Sequence, residues 1–403
     1  MNGAGISHHT SSAAGPPARA PALSISAVRL LTGAGLALIA VSYGLGRFAY
    51  GLFLPTFRSE FGLDTATAGA IGAGSYASYI AAIGAATVLA PRFGARAVAI
   101  GGGCLAGIGT ALIALAPNSA LLVTGVVIAG ASTGAVSPAL AQAVERRVPP
   151  AAKDRTQTVI NAGTGVGVVV AGPIALLTAD EWRGSWLVFA ALCALATVWA
   201  AFAVPAARTA PGEGGPRPRL LPSPLLPPGS GRLVAAAILS GLASSATWTY
   251  GRDLLVGVGG LSDLESVVVW VVLGGCGILG AAAGPIASRL GLGAGWIAVM
   301  LLLAGATGLL AAFPGSVWIA GFAAAAFGAT YIAFTGFLLL WGIRVYPADP
   351  AAGVGMAFLV LVLGQVMGAL AVGVVSELTD PRIAFAGAAV VALLAAIGFP
   401  RRS

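Results

Sequence analysis

Charge is what this sequence has least of. Only 8% of its 403 residues are Asp, Glu, Lys or Arg, against about a quarter in a soluble domain, so a water-facing globular surface is excluded. Lysine occurs once, as Lys153, and every other basic residue is arginine. Histidine occurs twice, as His8 and His9, which leaves none inside an apolar run for acid–base work, metal binding or proton relay. The three cysteines, Cys104, Cys193 and Cys276, show no CxxC spacing, which argues against zinc sites and disulfide frameworks. No Ser/His, Cys/His or metal-ligand constellation is present, so an enzyme is the least supported class and no cofactor is expected.

What the chain has instead is apolar length. Hydrophobic residues make up 58% of it and the mean hydropathy is +0.94, values that require a lipid environment. Runs of about twenty residues suit membrane-spanning helices, and twelve are expected: Val28–Phe57, Thr65–Ala90, Ala95–Ala116, Ala120–Val144, Thr158–Thr178, Trp186–Val204, Leu233–Val256, Leu264–Ala287, Gly293–Ala312, Val317–Val345, Ala351–Val375 and Ile383–Phe399. The fold class is all-α, a polytopic membrane protein of two six-helix bundles. Residues 1–27, rich in Ser, Ala, Gly and Pro, are expected to be a disordered cytoplasmic tail. Bundles at 28–204 and 233–403 flank a Pro/Gly/Arg-rich linker at 205–232. The first span is too long for a cleavable signal and is expected to bend near Gly44, Gly46, Gly51 and Pro55.

The net charge of +8 reflects topology rather than nucleic-acid binding. With both termini in the cytoplasm, sixteen of the 21 basic residues lie on that side, as the positive-inside rule requires. Only Arg58, Arg183 and Arg382 fall outside, while Arg47 and Arg252 are embedded. The acidic residues lean to the outer side, among them Glu60, Asp64, Asp263, Glu265 and Glu377.

Glycine recurs throughout. The Gly163-x-Gly165-x-Gly167 series lies inside a span and not after a soluble strand, so it reads as close helix packing rather than a nucleotide loop. Two joins align without a gap: Thr87-Val88-Leu89-Ala90-Pro91-Arg92-Phe93-Gly94-Ala95-Arg96 between spans two and three, and Gly284-Pro285-Ile286-Ala287-Ser288-Arg289-Leu290-Gly291 between spans eight and nine. This repeated turn, with Arg92, Gly94, Arg96, Arg289 and Gly291, resembles the Gly-x-Leu-Ala-Asp-Arg-x-Gly-Arg turn of the major facilitator superfamily. Here Pro91 and Ser288 stand where that family places its gate-latching acid. The resemblance covers nearly the whole chain and implies alternating access between two six-helix halves. Gly44-Leu45-Gly46-Arg47-Phe48-Ala49-Tyr50 followed by Leu54-Pro55 is similar to the first helix of YbfB/YjiJ-type transporters within it, whose substrates are poorly defined. Val126 stands where many proton-coupled exporters carry arginine, and only Gly172-Pro173 remains of their glycine-rich motif, Val168 replacing one glycine. Both departures count against drug export. The arginine bias suggests a high-GC bacterium, hence an inner-membrane protein.

The candidate site centres on Arg47. A guanidinium at mid-bilayer costs about 2.5–3.5 kcal/mol even on lenient scales, which makes it a functional candidate. Its 18-residue distance from Arg29, about 27 Å at 1.5 Å per residue, also allows a helix-end arginine reaching headgroups. Gly251-Arg252 repeats the Gly-Arg pair, with Trp248 in the place of Tyr43, which suggests matching positions in a duplicated chain. Two such guanidiniums meeting in a central cavity would favour a carboxylate or phosphate. Asp253 neutralises an arginine, carries a coupling proton, or sits at the outer edge. Tyr76 and Tyr79 line a cavity or bond between helices. Asn161, Tyr331 and Gln365 are polar groups that should avoid lipid, and Tyr43, Tyr50 and Trp248 form a possible aromatic wall. Trp318 and Trp341 are expected at the lipid interface. The expectation is a monomeric secondary transporter of a small organic anion in the bilayer, with a proton as candidate coupling ion and no nucleic-acid partner. The alternatives are proton-coupled efflux of hydrophobic or cationic compounds and a non-transporting membrane sensor or scaffold.

Overall fold

Among the described residues the chain forms twelve apolar helices and no strand. The computed structural model describes residues 23–178, 181–206 and 224–397, with backbone alone at 281–288 and 351. Residues 1–22 of the expected tail, most of the linker and the end of the last span lie outside the described residues, and the tail's expected last residues, 25–27, are already helical, with Ser24 as the cap. The helices are α1 (Ile25–Phe61), α2 (Thr65–Phe93), α3 (Ala95–Ala114), α4 (Ser119–Arg147), α5 (Pro150–Leu177), α6 (Trp182–Ala203), α7 (Ser230–Gly257), α8 (Asp263–Gly280), α9 (Arg289–Ala312), α10 (Val317–Val345), α11 (Pro350–Leu378) and α12 (Pro381–Ile397). Eleven are long and apolar enough to cross a membrane, and α12 is a shorter apolar helix. The largest difference from an expected boundary is at the start of α5. Helix α5 begins at Pro150, eight residues before Thr158, because Pro149-Pro150 starts the helix and the polar stretch after it continues it.

Turn chemistry shows the internal repeat more clearly than the arginines do. Gly62 and Gly260 both take positive φ, at 61° and 69°, and each leads through a buried leucine, Leu63 or Leu261, to the residue that caps the next helix. Asp64 caps α2 by accepting from the Thr67 amide, and Ser262 caps α8 in a capping box with Glu265. At the repeated Gly-Arg joins, Gly94 has φ 85° and ψ 156° and Gly291 has φ 79° and ψ 161°. These torsions are essentially restricted to glycine. In this register Arg47 falls opposite Ser245 and Arg252 opposite Leu54. Arg252 is therefore seven residues, about 10 Å along its helix, from the place that corresponds to Arg47. The expectation that the two arginines occupy matching positions is corrected by the turns that flank them.

Small residues set how closely the helices approach. The Gly163-x-Gly165-x-Gly167 series divides between two neighbours: Gly163 and Gly167 pack on the α1 carbonyls of Leu36 and Ala40, and Gly165 packs on that of Gly274 in α8. Helix α1 is continuous but changes coil where the bend was expected, becoming a π-helix over Ala40–Phe48. Such insertions are rare and concentrate at functional sites.

The arginine-rich side of the molecule is called here its basic face, and the opposite side its acidic face. The two sets of six helices meet from the middle of the molecule to the acidic face. Helix α2 lies along α11, α5 along α8, and the second part of α1 against α7. Among the described residues, every hydrogen bond across this seam lies between the level of Arg47 and the acidic face. Toward the basic face no such bond is present among them. Asn161 is exposed there, on the side of α5 that packs against α8 through Gly165, and it accepts a bond from Gln157.

Candidate functional site at the centre of the seam

Arg47 leaves α1 from the π-helical stretch and is 5% exposed. The wider coil places Arg47 and Phe48 side by side on the seam. The guanidinium stacks over Tyr76 and Tyr79 of α2, with 4.7 Å from Cζ to each ring centroid, and lies 5.4 Å from Phe48 and 5.9 Å from Tyr43. Tyr76 and Tyr79 are three residues apart and share one helix face, so they form one side of a box. Desolvated cation–π contacts are worth about 2 kcal/mol each.

The other side comes from the second six helices. Arg47 Nη2 donates to Gln365 Oε1 at 3.0 Å, and Gln365 Nε2 donates to the Tyr331 hydroxyl at 3.2 Å. Trp248 stacks on Phe48 at 3.9 Å and meets Tyr331 edge-on at 5.2 Å. Tyr76 and Thr249 hydroxyls are 3.4 Å apart across the seam, and the Tyr43 and Ser137 hydroxyls are 2.9 Å apart. Among the described residues Arg47 has no carboxylate partner, and its buried Nε–H has no hydrogen-bond partner. The Trp248 indole N–H is likewise buried without a partner. Holding a guanidinium out of water costs several kcal/mol without a counter-charge. Stacking and one amide bond offset part of that cost and leave donors available.

Arg252 has other surroundings. It is also 5% exposed, but its Nη1 donates to the Leu52 carbonyl at 2.6 Å, its Nη2 meets Asp263 at 2.5 Å and its Nε donates to Ser266 at 3.0 Å. All three of its nitrogens are engaged. Asp253, its neighbour in sequence, points elsewhere and pairs with Arg58 of α1 at 2.6 Å. Arg58 also holds Thr65 Oγ1 and the Leu63 carbonyl. The Thr65 amide donates to Glu377 of α11 at 2.9 Å, and the Tyr250 hydroxyl lies within reach of the carbonyls of Thr65 and Ala369. These bonds form a collar across the seam on the acidic side of the Arg47 box. Gly51 supports it by lying against the Trp248 carbonyl, where a Cβ has no room.

The structure thus brings together Arg47, Tyr43, Tyr76, Tyr79, Trp248, Tyr331 and Gln365. Four expected site residues lie elsewhere. Arg252 and Asp253 belong to the collar, Tyr50 donates to the Ala68 carbonyl beside Phe57, and Asn161 lies at the parted end of the seam. Arg252 is held there because Asp263 and the Leu52 carbonyl satisfy it before it can reach the centre. Trp318 is 87% exposed, as an interfacial residue should be, but Trp341 is buried against Trp296 at 5.7 Å between centroids and anchors nothing in lipid. Of the turn residues, Gly94 and Gly291 form the matched pair of turns, and Arg92, Arg96 and Arg289 flank them on the basic face. Sequence reasoning missed Thr249, Ser137, Phe48, Arg58 and Glu377. Only Phe48 and Thr249 carried a signal, as neighbours of Arg47 and Trp248.

Two six-helix sets around a buried polar site, hydrogen-bonded to each other on its acidic side, define a membrane protein built as a transporter rather than an enzyme. The sequence profile described as Major Facilitator Superfamily matches residues 36–360. The chain belongs to that superfamily. A curated relative, the Transcription regulatory protein OpdE of Pseudomonas aeruginosa, is 26% identical over 313 residues, 72% of this chain and 73% of the relative. Among solved structures, a POT family transporter in complex with 5-aminolevulinic acid superposes with TM-score 0.76 at 14% identity, covering 94% of this chain and 96% of that one. The nucleoside transporter NupG (D323A mutant) gives TM-score 0.73 at 15% identity over 91% and 98%. A bacterial homolog of human Spinster, inward-facing and unoccupied, gives 0.71 at 16% over 94% and 98%. At these identities the likeness is one of fold.

Proposed function

We propose that the protein carries a small organic anion across the bacterial inner membrane by alternating access, acting as a monomer and binding its substrate at Arg47. The observation that carries this is a buried guanidinium with no carboxylate partner among the described residues and free donors beside it. A carboxylate or phosphate supplies the missing charge and accepts bidentate bonds. Gln365, Tyr76, Tyr79, Tyr331 and Tyr43 surround the anion, and Trp248 closes the box. The two-arginine form of the site is replaced by a one-arginine form, because Arg252 is already occupied. By the positive-inside rule the basic face and both termini are cytoplasmic, so the collar is the outer gate and the state described faces inward. Asp253 is the membrane carboxylate at which a coupling proton would act, by releasing Arg58. The first-helix run Gly44–Tyr50 with Leu54-Pro55 supports a place beside the YbfB/YjiJ-type transporters.

A second reading rests on one observation, the regulatory name of the relative OpdE. In this reading the same box binds an anion and signals without moving it. The test begins with thermal-shift screening of carboxylates, phosphates and lipophilic cations, since a ligand of the folded state raises the midpoint. Uptake of the stabilising compounds into proteoliposomes then follows. Anion uptake lost in Arg47→Ala supports transport. Anion uptake that survives Arg47→Ala, or stabilisation by cations alone, overturns the anion reading. Anion binding without exchange in either direction favours the sensor.

A further inference from the structure

A second polar feature lies far from the Arg47 box. Where α1 and α5 begin, at the basic face, they diverge around a groove of about 470 Å³ whose lining includes Val28, Arg29, Thr32, Arg155, Thr156 and Val159. Both arginines are exposed, and among the described residues neither has a hydrogen bond or ion pair. Nearby charges are engaged or turned away. Lys153 pairs with Glu145 at 2.6 Å, and Asp154 is about 100° round the helix from Arg155.

Helical phase shows which way the groove opens. Val159 is followed at eleven and eighteen residues by Val170 and Leu177, which lie within about 20° of it on a helix of 3.6 residues per turn, and all three are exposed. That stripe faces lipid. The side of α5 that packs on α8, through Gly165 and Gly172, is on the opposite side of the helix, so the groove does not open into the central seam. Exposed Leu195, Val198 and Phe202 of α6 continue the lipid-facing surface, and Trp199 of α6 packs against Gly33 of α1.

We infer that this groove is a binding site for an anionic phospholipid of the leaflet on the basic face. Arg29 and Arg155 take the phosphate, Thr156 adds a hydroxyl donor while the Thr32 hydroxyl is held by the Val28 carbonyl, and the acyl chain follows Val28 and Val159 toward the exposed stripe. Basic pockets between membrane helices on that side are suited to phosphate headgroups. The start of α5, which has no side-chain cap, adds the positive end of its dipole.

The test uses purified full-length protein in neutral detergent. It is titrated with dioleoyl phosphatidylglycerol or dioleoyl phosphatidylcholine, and bound lipid is counted by native mass spectrometry. The phosphatidylglycerol is expected to be retained and the phosphatidylcholine not. Arg29→Ala with Arg155→Ala is expected to weaken retention about thirtyfold, from about fivefold for each basic residue near the surface. Arg344→Ala, on the same face, leaves it unchanged, and the Arg29→Lys, Arg155→Lys pair keeps most of it. Raising salt should also weaken retention by the unaltered protein, a readout that needs no variant to fold. Equal retention of the two lipids, retention that survives the alanine pair, or indifference to salt would each overturn the site. Displacement by millimolar glycerol 3-phosphate would assign the groove to a soluble anion and overturn the lipid.

Discussion

Arg47 and Arg252 are equally buried, in the same fold, and each is among the first residues a reader of the chain would single out. Their surroundings are opposite. Arg252 sits in the collar with a carboxylate, a hydroxyl and a backbone carbonyl around it, so its charge is spent on holding α1, α7 and α8 together. Arg47 sits among rings with a single amide acceptor and no acid among the described residues. Burial alone therefore does not mark a binding arginine. The missing counter-charge does, because a site meant for an anion cannot already contain one.

Five single substitutions and one paired exchange would break or sharpen this contrast. The largest effect is expected from Arg47→Ala, which should lower anion uptake about 100-fold, within the range for losing one partner of a buried charge pair, while purified protein keeps its thermal midpoint. Arg252→Ala should do the reverse, lowering the midpoint and the yield while the protein that does fold keeps its substrate affinity. Equal loss of affinity in the two variants, measured by thermal shift against ligand concentration, would erase the distinction.

Next comes the collar itself. Gly51→Leu puts a side chain against the Trp248 carbonyl and should hold the outer side open, raising labelling of a cysteine placed at Thr249 from that side. Asp253→Asn should act in the same direction more weakly, by about fivefold, because Arg58 is partly exposed and the pair is screened by solvent. Exchanging the two residues, Arg58→Asp with Asp253→Arg, should restore closure.

The smallest effect is expected at the α2 cap. The Asp64 carboxyl is held below its ordinary range by the bond from the Thr67 amide and then by the Thr67 side chain. A carboxyl with a depressed folded-state value contributes stability above its unfolded value, and that stability fades as pH falls through the folded one. Asp64→Ala should therefore lower the midpoint slightly at neutral pH and have no effect in acid below the carboxylate range.

The fold was legible because lipid leaves few choices. A chain with so little charge must satisfy its backbone inside helices, and the run lengths count them. Val317–Val345 matches its expected bounds at both ends. The site was legible only in part. Arg47, Tyr76 and Tyr79 stand out because polar groups in apolar runs need partners, and Gln365 and Tyr331 follow from the same rule. Arg252 misled because the shared Gly-Arg pair looks like register, whereas register is set by the turns at Gly62 and Gly260. Trp341 misled because nearness to a span end does not say which side of a helix faces its neighbours. Arg58 was missed because its role depends on Asp253, far along the chain, and no spacing within one helix reveals a partner in another.

The paired torsions at Gly94 and Gly291 have a consequence for how the gene tolerates change. No side chain crowds Gly291, so a substitution scan judged by space alone would pass it. The backbone angles at both positions are essentially restricted to glycine, so each should appear in such a scan as a single intolerant column between permissive neighbours. A D-alanine introduced by synthesis at either position should be accepted where L-alanine is not.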